Sequence, residues 1–193
     1  FRGNRNRNSI VFHRLRRPVA ARFVRFYPLS YHGHMSMRVE LYGRRYVRRP
    51  RPQPSGISNG RLPNKYITAS SEWDRFHAAW LARLHRKKKG RYVGAWNQYL
   101  QVNFRRAKKV MAVATQGRQD LNQWVTRYYL SYSLDGLHYT KYSLRGRVKV
   151  FRGNNNRNTV RRQYLRPAIR AVSVRFHPVS WRSHISMRVE LYG

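Results

Sequence analysis

Apolar and polar side chains alternate with a period of two through much of the chain. In residues 99–104, YLQVNF, Leu100, Val102 and Phe104 fall on one face and Gln101 and Asn103 on the other, the signature of a half-buried strand. KKVMAVATQ (108–116), WVTRYYLSYSL (124–134), LHYTKYSL (137–144), RVKVF (147–151), AVSVRFHP (171–178) and ISMRVELYG (185–193) follow as further strand-like runs. The last places Met187, Val189 and Leu191 on one face and Arg188 and Glu190 on the other, where the two charged residues are expected to pair locally. Asp135-Gly136 separates two of these runs, and both residues tolerate positive φ, so 124–143 is predicted to be a hairpin. Only HAAWLARLHRK (77–87) has helix-like spacing, with Ala78, Leu81, Ala82 and Leu84 as a short apolar stripe. Short strands separated by turn signals predict an all-β, antiparallel sandwich or barrel.

The pattern also repeats. Residues 1–43 align without a gap to 151–193 at a constant offset of 150, with 24 of 43 positions identical. A period this long marks tandem globular domains rather than a solenoid. The chain is therefore read as the C-terminal part of one domain (1–43), an Arg/Pro-rich linker (44–56, RRYVRRPRPQPSG) and one complete domain (57–193). Residues 1–43 would supply about three strands, too few to bury their own apolar face. Three accounts compete: an excerpt of a longer tandem array, strand donation between copies, or an engineered, supercharged sequence. The excerpt is the most economical, and it agrees with a start at Phe1 that has no signal-peptide pattern.

Charge changes the picture further. Forty-two Lys and Arg against six Asp and Glu give a formal net charge of +36, while 41% hydrophobic and 14% aromatic residues exclude a disordered polybasic tail. Such a surface favours polyanions: glycan, lipid headgroup, nucleic acid or an acidic polymer. There is no cysteine, so disulfides, thiol nucleophiles and Cys-based zinc sites are excluded. No apolar run approaches the roughly 18 residues of a membrane span.

In order, the chain reads GISNGRLPNKYITASSEW, ARLHRKKKGRYVGAW, NQYLQVNF, VMAVATQGR, WVTRYYLSYSLDGLHYT, FRGN, LRPAI and SMRVELYG. This succession resembles the discoidin, or coagulation factor V/VIII type C, domain family from about 57 to 193, and residues 1–43 resemble that family's C-terminal third. The resemblance implies an eight-stranded jelly-roll β-sandwich of the galactose-binding-like class, with ligand-binding loops at one end. It also implies a secreted or cell-surface protein acting in adhesion, with anionic phospholipid, glycans, collagen or other proteins as ligands.

Several positions depart from the family pattern. Its terminal cysteines would fall near Arg51 and Arg44, so this chain lacks the disulfide, a loss on the order of 2–5 kcal/mol. The stretch between GAW and the following strand is shortened, Asn103 stands where an acid is common, and Ser173 stands where an aromatic is usual.

Two constellations carry candidate chemistry. In EWDRFHAAW, which the resemblance places at the binding end, Trp73, Phe76 and Trp80 beside Arg75 and His77 combine apolar insertion with a cationic rim. The plainer account is that Trp80 packs inside and only the first part of the loop is exposed. The second is the basic loop of Arg83, Arg86, Lys87, Lys88, Lys89 and Arg91, a polyanion patch by type, although such runs are usually solvated loops. Histidines show no metal-ligand spacing, and no nucleophile motif, phosphate loop or paired carboxylates occur, so no metal, cofactor or catalytic residue is assigned and the chain is read as a non-enzyme. The leading expectation is an extracellular recognition module binding anionic glycan or phospholipid headgroups. The alternative is a matrix or filament protein assembling by strand complementation between copies of the chain, with its charge binding an acidic partner; non-specific nucleic-acid binding ranks third.

Overall fold

The period-two runs become strands. A computed structural model of the chain describes residues 1–44, 51–72, 74–86, 92–94 and 98–193, with the backbone alone at Phe76 and 92–94. It divides into two units, Phe1–Pro50 and Arg51–Gly193.

The second unit is an antiparallel jelly-roll sandwich. Its strands are β1 (Ile67–Ala69), β2 (Tyr92–Gly94), β3 (Leu100–Gln116), β4 (Trp124–Ser133), β5 (Thr140–Lys141), β6 (Ser143–Leu144), β7 (Arg147–Val148), β8 (Val150–Arg152), β9 (Arg161–Arg182) and β10 (Ile185–Tyr192). The main sheet runs β2-β10-β3-β9-β4-β5, with β1 added to β3 and β8 to β4. β3 and β9 are long enough to serve both layers. Their ladder shifts register between Asn103 and Lys108 and again between Val110 and Ala112, irregularities that let a long strand bend.

The predicted inward faces form the core. Leu100, Val102, Val110, Val113, Leu130, Val174, Phe176, Met187, Val189 and Leu191 are buried, with Tyr128 stacked on Phe151. The hairpin around Asp135-Gly136 forms with Tyr132 opposite Thr140, so its loop is wider than a two-residue turn. Asp135 closes it by accepting hydrogen bonds from the amides of Leu137 and His138, from Ser133 Oγ and from the His138 ring. These partners, His138 foremost, hold its carboxyl well below the usual carboxylate range.

Three expectations are revised. The stripe of Ala78, Leu81, Ala82 and Leu84 is buried, but in an irregular loop containing only a 3-10 turn, Ala79–Leu81, because the apolar residues anchor a loop against the sandwich. Arg188 and Glu190 do not pair with each other. The buried Glu190 carboxylate accepts from the amides of Ser58 (2.8 Å) and Leu191 (2.9 Å) and from the Ser58 hydroxyl (2.7 Å), whereas Arg188 donates to backbone carbonyls. Two residues of the expected linker belong to the sandwich: Gln53 exchanges both backbone hydrogen bonds with Gly193, and the Ser55 amide donates to Leu191. Those bonds tie the edges of the unit where the family resemblance would place a disulfide.

Residues 1–44 contain no strand, and their large apolar side chains are exposed. Among the described residues no helix is long and apolar enough to cross a membrane.

Candidate functional site

Strand register sets which loops share an end of the sandwich. β1 runs antiparallel to the start of β3, with Ala69 opposite Leu100, and Leu100 lies opposite Phe176. From Phe176, β9 runs on to Arg182, opposite Trp124 at the start of β4. The segment after Ala69, the β3–β4 loop at 117–123 and the β9–β10 turn at 183–184 therefore leave the sheets at the same end.

Backbone capping shapes the first of these loops. Glu72 accepts from the Ala79 amide (2.7 Å), and Asp74 meets the His77 ring at 2.5 Å across the 3-10 turn Arg75–His77. Arg75 is exposed and His77 half-buried, so the structure brings these two together on one turn. Trp80 packs against the core beneath them. Arg86 stands apart from a free basic rim: its guanidinium carbon lies 5.0 Å from the Trp80 ring centre, and its carbonyl accepts from Arg188 (3.0 Å). Trp73, the Phe76 side chain, Lys87, Lys88, Lys89 and Arg91 lie outside the described residues.

Two buried arginines fasten the loops. Arg188 donates to the carbonyls of Gly117 (2.6 Å), Arg157 (2.8 Å) and Arg86, joining three segments distant in sequence. Arg83 donates to the carbonyls of Ile57 (2.8 Å) and Leu62 (2.9 Å) and to Asn64 Oδ1 (2.6 Å), fastening its own loop to residues 57–64. Burial pushes both guanidinium groups below their ordinary value, opposed by Asp120 for Arg188; for Arg83, Arg86 adds to the lowering and Glu190 opposes it. These cations serve the scaffold and are withdrawn from ligand.

The 117–123 loop contributes residues that the sequence reading missed. Arg118 bonds Asp120 (2.6 Å) and Gln123 (2.7 Å), closing the loop so that Leu121 is 46% exposed at its tip. Nearby, the Arg182 guanidinium lies 5.6 Å from the Trp124 ring centre. A lone leucine in a polar turn is ordinary, so the sequence carried no usable signal for it. The end as a whole offers an apolar tip and fixed cations on a rigid base. Among the described residues no three His, Asp or Glu side chains come together as a metal site.

A profile of the F5/8 type C domain matches residues 66–191. The chain belongs to the F5/8 type C domain family. Rat lactadherin is 32% identical over an alignment covering all of this chain and 48% of lactadherin, and dog coagulation factor VIII is 34% identical over all of this chain and 8% of its own length. The chain thus spans about half of one relative and a small part of the other. Discoidin II from Dictyostelium discoideum is 28% identical, with a TM-score of 0.63 over 73% of this chain and 57% of its own. A family 32 carbohydrate-binding module of Clostridium perfringens NanJ, solved with galactose, shares the fold at 20% identity, covering 68% of this chain and 97% of its own with a TM-score of 0.54. F5/8 type C domains are binding domains, and the same fold also serves as a carbohydrate-binding module.

Proposed function

We propose that residues 51–193 act as a secreted or cell-surface recognition module that binds anionic glycan or phospholipid headgroups through the loop end and performs no catalysis. The observation that carries this reading is the combination, at one end of a binding-domain fold, of an exposed Leu121 tip with Arg75, Arg182 and Arg157, whose guanidinium reaches the Asp120 carbonyl at 3.5 Å. An apolar tip ringed by cations suits an interface that is greasy within and negative at its surface, and the same cations suit sulfated or carboxylated sugars. Opposition from the six acids is small: Asp120 is engaged with Arg118 and Asp74 with His77.

The test is binding of the folded chain to immobilised heparin and to vesicles containing phosphatidylserine at physiological salt. Binding to at least one, weakening as salt rises, is expected; a folded protein that ignores both overturns the proposal. Leu121→Asp separates the two ligands, because it should abolish vesicle binding and spare heparin.

A second reading, a matrix protein assembling by strand complementation, is favoured by the exposed apolar side chains of residues 1–44. Light scattering distinguishes it: a mass of 23.2 kDa that does not change with concentration counts against assembly.

A further inference from the structure

On the outer face of the β3–β9–β4 layer, beside the point where β1 gives way to the loop end, the ladder aligns Gln101, Arg175 and Ser131 in one row and sets Tyr129 opposite His177 in the next. The Tyr129 and His177 rings stack at 4.4 Å and 2°, and the Tyr99 ring is tilted against His177 at 5.7 Å. Arg175 is enclosed: its guanidinium carbon lies 3.4 Å from the Tyr139 ring centre and 4.1 Å from that of Tyr99. Tyr139 is fixed by its hydroxyl bond to the buried Ser173 (2.8 Å), and Arg175 by Nε donating to Gln101 (2.7 Å). Among the described residues neither Nη atom of Arg175 makes a hydrogen bond, and no carboxylate pairs with it. Lys141, opposite Ser131 on the next strand, brings a second cation, its Nζ 5.6 Å from the Tyr129 ring centre.

A guanidinium packed against two tyrosine rings and fixed at Nε presents its remaining N–H edge as a fork with little rotamer freedom left to lose. That is the geometry that takes an oxyanion in two parallel hydrogen bonds. The surrounding tyrosines supply flat apolar surface of the kind on which a pyranose ring packs. We propose that Arg175, with Lys141 and the Tyr99 and Tyr139 rings, forms a second binding site, specific for the sulfate or carboxylate group of an acidic saccharide. It lies on the sheet face rather than on the loop tips, and it does not depend on the function proposed for those tips. The arrangement differs from the general positive field of the protein because Gln101, Tyr99 and Tyr139, which hold Arg175, are neutral and the residue is positioned before any ligand arrives.

The experiment follows the Arg175 Nε–Hε resonance of the full chain by NMR while a heparin tetrasaccharide, a tetragalacturonate or inorganic sulfate is added. Calorimetry of Arg175→Gln and Arg170→Gln with the saccharides runs alongside. Both substitutions remove one charge from β9, but Arg170 is exposed and lies on another part of the strand. Movement of the Arg175 signal by a saccharide, together with an affinity loss of about tenfold in Arg175→Gln and less than about twofold in Arg170→Gln, is the expected result. Response to the sulfated but not the uronate probe, or the reverse, assigns the oxyanion. An unmoved signal, equal losses in the two variants, or a response to free sulfate as strong as to the saccharide overturns the site. The resonance is read on the unmutated chain, so a folding defect in Arg175→Gln cannot decide the outcome. Arg75→Gln keeps the two proposals apart: if it removes heparin or vesicle binding at the loop end while the Arg175 response persists, only the loop-end reading depends on that residue.

Discussion

Residues 1–43 and 151–193 share 24 of 43 residues and several side-chain hydrogen bonds, yet differ completely in burial. Asn6 accepts from the amides of Asn8 and Ser9, and Asn156 from those of Asn158 and Thr159. Arg38 donates to the Arg7 carbonyl as Arg188 does to Arg157, and the Leu41 amide donates to Glu40 as that of Leu191 does to Glu190. Each pair is related by the offset of 150. Burial does not follow: Val39, Leu41 and Tyr42 are exposed, whereas Val189, Leu191 and Tyr192 are in the core. Turns held by side chains to nearby amides are encoded locally. A strand's apolar face needs neighbours, and in the second copy these are β3 and β2.

Substitution at matched positions breaks or sharpens this contrast. All five tryptophans lie beyond residue 51, so denaturation followed by their fluorescence reports the sandwich alone. The largest effect is expected from Glu190→Ala, about 4 kcal/mol, since several buried donors lose their acceptor at about 1–3 kcal/mol each. Glu40→Ala should leave the same curve unmoved. Next comes Leu191→Ala, at about 3 kcal/mol for a fully buried leucine, against no change for Leu41→Ala. Gly153→Ala follows at about 2 kcal/mol, because an added Cβ would stand 2.4 Å from the Val125 carbonyl and the backbone must shift. Gly3, its counterpart, has nothing within 4 Å, so Gly3→Ala should have no effect on the sandwich.

The smallest effect depends on pH. Burial, then Arg175 and Lys141, lower the pKa of His177 to about 4. The unfolded chain therefore takes up this proton more readily than the folded one. The contribution is intact above about pH 6.5 and is lost as pH falls toward 4, on the order of 1 kcal/mol for a partly exposed ring. His177→Tyr, which installs the residue the first copy carries as Tyr27, should flatten the stability profile across that window. An unchanged slope would remove His177 as its source.

Much of the fold was legible from alternation. The inward residues of 99–104 and 185–193 and the hairpin after Ser133 were readable because a period of two and a turn signal are local properties. The stripe at 78–84 misled for a related reason: burial was read correctly, but spacing alone does not separate a short helix from an anchored loop. The Arg188/Glu190 pairing failed because residues two apart on a strand share a face without having to meet, and here each found buried backbone groups that had greater need of a partner. At the loop end, EWDRFHAAW singled out Arg75 and His77 as candidates, whereas nothing singled out Leu121, since its exposure depends on the Arg118 clasp.

By itself the sequence determined the repeat, the β class, the family, the cationic surface and the absence of disulfide chemistry, because each is a property of residue order or composition. Only the tertiary structure decided which arginines are structural and which are available. Arg83, Arg188 and Arg175 look alike along the chain. An anchored loop buries Arg83 and strand register buries Arg188, each among carbonyls, whereas register sets Arg175 against Tyr99 and Tyr139, residues that have no relation to it until the strands lie side by side.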